Sequence, residues 1–441
     1  MTTLQRIDTM KYWILSALAC GLCLLNIWHT WHDVHLYGGT DLRVRVVGAR
    51  ALLRGINPYK IKDTKDLDPA LRDPDQEALS RCTYHPTLLL FYAPFASLSY
   101  PAQRMIWAAL EWCALGGSVA LLSFCLKSNN LRFWFCVAAV GLFGGAPFWR
   151  LHVERGQYYI FVVLLISVGM LLLLRTKYSI AAGIAFGFAI CLRPTAICFV
   201  LPLLAGTERK AGITAIVTAG LTVVAATVAG KFEYWLDFVQ LSRAWELSLL
   251  SGVMDGSIDP EVHSRPTDGY KTAIMDGYAA NLTFVSLAKS VQTIFQVNLD
   301  PSIIGRIGKA VWIIVITAIW SLHLRARRQQ SERVLYQLLA GACLMIVTDY
   351  FLPIRVEYAD VMFLLPLAIL MPFLRHKEYR SLTILATASI LISMLPLNSL
   401  PFNASAISAM LRSSVVLYLI VRLTVIGLPE SREFPQSSLV S

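Results

Sequence analysis

The sequence predicts an all-α integral membrane protein with about twelve transmembrane helices and two long outer loops that carry amphipathic and re-entrant helices. Three observations carry this expectation. Of the 441 residues, 56% are hydrophobic, and the mean hydropathy is +0.57. Apolar runs of about 20 residues recur from end to end, long enough to cross a hydrocarbon core of ~30 Å. Short loops rich in Lys and Arg separate them, the usual mark of a cytoplasmic face.

The spans are expected at about 12–31, 102–126, 131–149, 158–174, 179–192, 195–206, 211–230, 303–322, 333–352, 358–374, 381–396 and 406–427. Residues 12–31 stay apolar for too long, with no small-x-small site after them, to be a cleavable signal. They are read as the first span. The short runs 179–192 and 195–206 read as a hairpin whose tip, Leu192-Arg193-Pro194, turns near the outer face. Basic residues mark the opposite side: Arg6 and Lys11, Lys127 with Arg132, Arg175 with Lys177, Arg209 with Lys210, Arg325-Ala326-Arg327-Arg328, and Arg375-His376-Lys377. With all of these in the cytoplasm the amino terminus is inside and the spans alternate without conflict. The outer loops then cover about 32–101 and 231–302. Within the first, residues 86–98 ("PTLLLFYAPFASL") are apolar but too short to span, and are expected to be re-entrant. If they did span, everything downstream would invert. The whole chain, 1–441, is expected to form one transmembrane domain.

A formal charge of +11 would suggest nucleic acid in a soluble chain; positive-inside loops account for most of it here. Nucleic acid is not an expected partner. The nine cysteines fall mostly inside apolar runs, as Cys20, Cys113, Cys136 and Cys191 do, and read as small hydrophobes. Neither a disulfide framework nor a metal site is expected. No strong internal duplication is visible, which argues against transporter folds built from inverted repeats.

The stretch 41–60, "DLRVRVVGARALLRGINPYK", follows the first span. On a helix, Leu42, Val46, Ala49 and Leu53 share one face, and Arg43, Arg50 and Arg54 share another. This predicts a helix lying in the membrane interface, apolar face in the acyl boundary and arginines among phosphates. Gly55 suits the helix C-cap, and Asn57-Pro58 ends the element in a turn. Asp41 could be a first-turn acid that serves the helix dipole. It also stands where the first span meets the outer surface, where a carboxylate could act as a general base.

The combination Asp41…Gly55-Ile56-Asn57-Pro58-Tyr59 resembles the signature of bacterial polyprenyl-phosphate-mannose-dependent mannosyltransferases. These are integral-membrane enzymes of the GT-C superfamily, of the type that builds phosphatidylinositol mannosides. Further likenesses follow in the family's order: Tyr84-His85-Pro86 with Pro94, Gly156-Gln157, Ala182-Gly183 through Leu192-Arg193-Pro194, and Asn281-Leu282-Thr283 with Leu287. The resemblance runs from about residue 35 to 370. There are departures: Tyr159 stands where members often have Asn, Arg193 where they often have Lys, and "DYFLPIRVEYAD" (349–360) where they tend to show a Trp/His-containing stretch.

The resemblance implies a multi-pass enzyme of the bacterial inner membrane, amino terminus cytoplasmic and site facing outward. It implies transfer of a sugar, mannose by the likeness, from a polyprenyl phosphate to a glycolipid or polysaccharide hydroxyl; inversion by direct displacement is expected, and no metal is demanded, since cationic side chains can meet the phosphate. Asp41 would be the base. Arg193 precedes a proline near membrane depth, where a charge is costly and by default functional. The likeness implies that Arg193 meets the lipid-linked phosphate, and a guanidinium suits forked contacts to one. Arg355, Lys60 and His85 are further candidates for that phosphate. Glu154, Gln157, Asn281, Glu357 and Tyr358 are candidates for sugar or acceptor. The rival readings are a secondary transporter or lipid-linked glycan flippase, and a non-catalytic scaffold. A transporter would predict ionisable residues near mid-span, whereas here they crowd the outer side.

Overall fold

The computed structural model describes residues 3–36, 39–61, 68–71, 82–251, 300–330, 334–351, 357–375 and 377–392. Among them every regular element is helical. In order these are α1 (Thr3–Leu36), α2 (Thr40–Leu53), α3 (Pro86–Tyr92), α4 (Tyr100–Cys125), α5 (Asn129–Ala138), α6 (Pro147–Arg155), α7 (Tyr159–Leu171), α8 (Ser179–Leu192), α9 (Ile197–Ala205), α10 (Arg209–Gly230), α11 (Glu233–Ser251), α12 (Pro301–Gln330), α13 (Val334–Tyr350), α14 (Leu364–Leu370) and α15 (Lys377–Ile392). A π turn, Ala139–Phe143, extends α5, and 3-10 turns, Glu357–Phe363 and Met371–Arg375, flank α14.

The described parts of the predicted spans up to 381–396 fall mostly on helices; the last, 406–427, lies outside the described residues. The count of twelve does not carry over. Five described segments are long and apolar enough to cross a bilayer: Tyr12–His35, Tyr100–Cys125, Tyr159–Thr176, Arg209–Gly230 and Tyr358–Arg375. For α8 and α9 the reason is length. At 1.5 Å per residue, the 14 residues of α8 reach about 21 Å, short of a ~30 Å core. The expected span 131–149 is split between α5 and α6 by the π turn and Gly144-Gly145. The expected re-entrant segment is α3, of seven residues, also too short to cross.

Large apolar side chains cover the outside of α1 and α10, where Trp13, Leu24, Leu221 and Val228 are all exposed. In water such surfaces would be a liability; in lipid they are the solvated face. α13 is the opposite case, with every side chain from Tyr336 to Tyr350 buried, so it runs through the centre. Helix α7 packs between α4 and α8, α8 against α10, and α13 against α9. The α8–α10 contact is close because Gly183 and Gly187 face it. A Cβ on either would come within 2.5 Å of α10 atoms, the small-residue packing that membrane helices use in place of a hydrophobic drive.

Helix α2 corrects the interfacial expectation. Leu42, Val44, Val46, Val47, Ala49, Ala51 and Leu52 are buried on all sides, and so are Arg45 and Arg50; Leu53, placed on the apolar face, is exposed. The helix lies inside the fold, and its arginines serve the protein. Arg50 donates to the carbonyls of Ala96, Leu71 and Leu98 at 2.7, 3.1 and 3.1 Å. Arg43 lies over the Tyr100 ring at 3.6 Å. The helix then ends as Gly55 predicts. Gly55 has φ +69, its N–H bonds Leu52 O, and the Ile56 N–H reaches back to Ala51 O, a Schellman closure.

Cys20 and Cys23 stand one turn apart on α1, a Cys-x-x-Cys spacing, as free thiols. Among the described residues no group of three or more His, Cys, Asp or Glu is arranged to hold a metal.

Candidate active site

Asp41 sits in the first turn of α2 and is half-buried. Both of its oxygens are engaged. The Tyr84 hydroxyl donates to Oδ1 at 3.2 Å, and the Gln157 side-chain amide donates to Oδ2. Each of these donors is held by one guanidinium, that of Arg45, one turn further along α2. Arg45 Nη2 donates to the Tyr84 hydroxyl at 3.0 Å and to Gln157 Oε1 at 2.7 Å, and Nη1 donates to Gly156 O at 2.8 Å. Two parallel relays thus join Arg45 to Asp41, one through a phenol and one through an amide. The Gln157 amide has a single consistent orientation between them, oxygen to Arg45 and nitrogen to Asp41.

The electrostatics fit this arrangement. Burial works against charge on Arg45, but Tyr84, Tyr92 and Asp41 more than offset it, and its pKa lies well above the usual range. Burial, opposed by Arg45, pushes the Tyr84 hydroxyl well up, so it remains a donor. Tyr84 and Tyr158 also present ring faces to Arg45, at 4.3 and 4.9 Å.

The local sequence places these groups. Gly156 closes α6 at φ +66, where a Cβ would meet the Leu42 Cβ at 2.7 Å. Only glycine fits both the turn and the approach of α2, and its carbonyl is the one Arg45 takes. The Gly-Ile-Asn-Pro-Tyr turn positions Tyr84. Tyr59 donates to Tyr84 O at 2.7 Å, Asn57 donates to Asp237 on α11 at 2.6 Å, and Tyr234 donates to Gly55 O at 2.6 Å.

A second polar centre lies at the α8–α9 turn. Arg193 pairs with Asp349 at the end of α13 at 2.8 Å and donates to Thr195 at 3.0 Å; Thr195 donates to Asp349 at 3.1 Å. Aromatic rings connect the two centres. Arg193 lies over Tyr159 at 4.4 Å, Tyr159 stacks on Tyr158 at 4.7 Å, and Tyr158 faces Arg45. Tyr358 approaches Tyr159 with ring centroids 5.5 Å apart and lies in the field of Asp41.

The structure therefore brings Asp41, Gln157, Arg193 and Tyr358 to one neighbourhood. Gln157 is fully buried with its amide committed to Asp41 and Arg45, so it orients the carboxylate. Glu154 is half-buried on α6 within the field of Arg104. Lys60 is exposed and pairs with Asp237 at 3.5 Å, on the α11 side of its turn. Glu357 begins the 3-10 turn before α14. Arg355 and Asn281 lie outside the described residues.

His85 is buried and caps α3, accepting the Leu88 N–H at 3.2 Å, and burial lowers its pKa to about 4. The neutral ring brings no cation to a phosphate. Between pH 6.5 and about 4 the unfolded chain binds a proton that the folded chain refuses, so stability falls as pH falls, on the order of 3 kcal/mol in all. His85→Asn retains an acceptor for the cap, and thermal melts in detergent are expected to show a shallower loss for it over that window. Identical pH slopes would refute the assignment.

Sequence reading missed Arg45, Tyr158 and Asp349. Asp41 and Arg45 stand at i and i+4, the spacing at which helical side chains meet, and that signal was available. Asp349 was not findable in this way, because its partner is far away in sequence.

No curated protein and no solved structure matches the chain. A sequence profile of glycosyltransferase family 87 matches residues 83–348, which include Tyr84, Gln157 and Arg193. With more than half of its length matched, the chain belongs to glycosyltransferase family 87.

Proposed function

We propose that the chain transfers a hexose, mannose by the family likeness, from a polyprenyl phosphate to an acceptor hydroxyl, with inversion at the anomeric carbon. The observation that carries this reading is Asp41, half-exposed and held on both oxygens by groups that Arg45 fixes. A carboxylate so oriented, with lone pairs left over, suits general-base work.

In the proposed step the acceptor oxygen attacks the anomeric carbon, its proton passes to Asp41, and the carbon–oxygen bond to phosphate breaks with its electron pair leaving on the phosphate. On this reading Arg193, beyond the Tyr158–Tyr159 stack, receives that charge. Asp349 balances the guanidinium until then. Cationic side chains suffice on this reading, and it calls for no metal. The arrangement is a GT-C transmembrane fold in the bacterial inner membrane, amino terminus cytoplasmic and site facing outward, with a glycolipid or polysaccharide as acceptor. Membership of a glycosyltransferase family weighs against the transporter and scaffold readings.

The test is a thin-layer assay in detergent with radiolabelled polyprenyl-phosphate mannose and a membrane lipid extract. A new labelled product with release of polyprenyl phosphate is expected. Turnover of a nucleotide sugar in place of the lipid-linked one would overturn the donor class.

A further inference from the structure

Two ionisable side chains lie beneath the Asp41 site with no part in the step above. Glu111 projects from the middle of α4, and His152 from α6; both are completely buried. His152 Nδ1 stands 2.9 Å from Glu111 Oε1. An acid and an imidazole both withdrawn from solvent are expensive to keep, and nothing in the packing of α4 against α7 requires them.

What they touch is the turn that carries Gln157. The Gln157 N–H donates to the backbone carbonyl of His152 at 3.0 Å, closing α6 just beside that ring. The Ile160 N–H, in the first turn of α7, approaches His152 Nε2 at 3.4 Å, where α7 has no other side-chain cap. An amide N–H is received only by an unprotonated ring nitrogen, so the ring carries its proton on Nδ1, beside Glu111. Burial, with Arg45 acting in the same direction, keeps the ring neutral. Trp149 stacks on the ring at 4.9 Å and fixes its plane. One turn before Glu111 on α4, Trp107 donates its indole N–H to Gln157 O at 3.2 Å. Glu111 reaches the turn through His152, whose Nδ1 its carboxyl faces. Residues 156–160 are thus gripped from below by α4 and α6, while the Gln157 side chain above them holds Asp41.

We propose that Glu111 and His152 are positioning residues for sugar transfer: together they fix the Gly156–Gln157 turn, and through Gln157 they set the orientation of Asp41. This rests on the reading of Asp41 as the base. It assigns a task to a buried pair that the transfer step leaves unused, and explains why an acid sits in the middle of a span so close to the outer site.

The experiment compares wild type, Glu111→Gln, Gln157→Ala and the double variant by donor KM, kcat and hydrogen exchange of the segment 156–160. Glu111→Gln is expected to lower kcat about tenfold with donor KM within about twofold, since small misplacements of a catalytic group are costly. In the Gln157→Ala background the same change is expected to have under about twofold further effect, because the path runs through Gln157. Exchange should rise in 156–160 and not elsewhere in α7. Equal losses in both backgrounds, a change in KM alone, or unchanged exchange would overturn the proposal. If Glu111→Gln does not fold, His152→Gln is read by the same criteria, and normal kcat and exchange in that variant would overturn it. If wild type transfers nothing from polyprenyl-phosphate mannose while Glu111→Gln still raises exchange in 156–160, the turn assignment stands and the substrate reading falls instead.

Discussion

Asp41→Asn is expected to fold and to transfer sugar about 10²- to 10⁴-fold more slowly, with donor KM changed little, because a positioned general base contributes on that scale. The argument is geometric. Asn has the shape of Asp, so α2 and its packing stay. The Tyr84 hydroxyl still finds an oxygen at Oδ1. At the other position an amide NH₂ would meet the Gln157 NH₂, donor against donor, and Gln157 cannot flip without turning its own NH₂ onto Arg45. That mismatch costs on the order of 1–3 kcal/mol, enough to lower the melting temperature without preventing folding. The amide accepts no proton at neutral pH, so the acceptor hydroxyl stays protonated as it attacks. Steady-state kinetics in detergent with a melt on the same samples checks both halves. Full activity in the variant would remove Asp41 from the chemistry.

The helices were largely legible because the membrane imposes a simple rule: a run of apolar residues must become a helix, and its ends are punctuated by Pro, Gly and charge. Gly55 at the end of α2 and Pro194 after α8 show that rule at work. The placement of α2 was not legible. Its leucines and arginines alternate as they would on a surface helix, and periodicity alone cannot tell arginines that face phosphates from arginines that face carbonyls. Arg50, with three carbonyl acceptors, is the case in point. Among the described residues, the short spans were over-read for a related reason. Hydropathy reports composition, whereas crossing also needs length, and α8 and α9 are apolar but short. In the site, Arg193 was picked out because a charge near membrane depth demands a reason, and Asp41 because it opens a helix where the first span meets the outer surface. Arg45 was within reach of the i, i+4 spacing on α2; Asp349, far from Arg193 in sequence, becomes evident only when the chain brings the two together.

Arg45 is expected to be the most costly side chain of the site to replace. The residue is 1% exposed, and its guanidinium donates to Gly156 O, Gln157 Oε1 and the hydroxyls of Tyr84 and Tyr92. Arg45→Met fills much of the same volume yet strands those acceptors and leaves the Asp41 charge without its counterpart. Each buried acceptor left without its donor costs about 1–3 kcal/mol, so the variant should melt far below wild type and transfer no sugar. Arg45→Lys keeps the charge but offers a point in place of a fork. It can serve one relay to Asp41 but not both together with Gly156 O, so an intermediate melt and weak activity are expected. The ordering is the informative part. If charge alone mattered, Lys would behave as wild type; if volume alone mattered, Met would. A melt of Arg45→Met within about a degree of wild type would mean that the two relays are incidental, and that the turn at Gly156 and the α2 packing hold Asp41 by themselves.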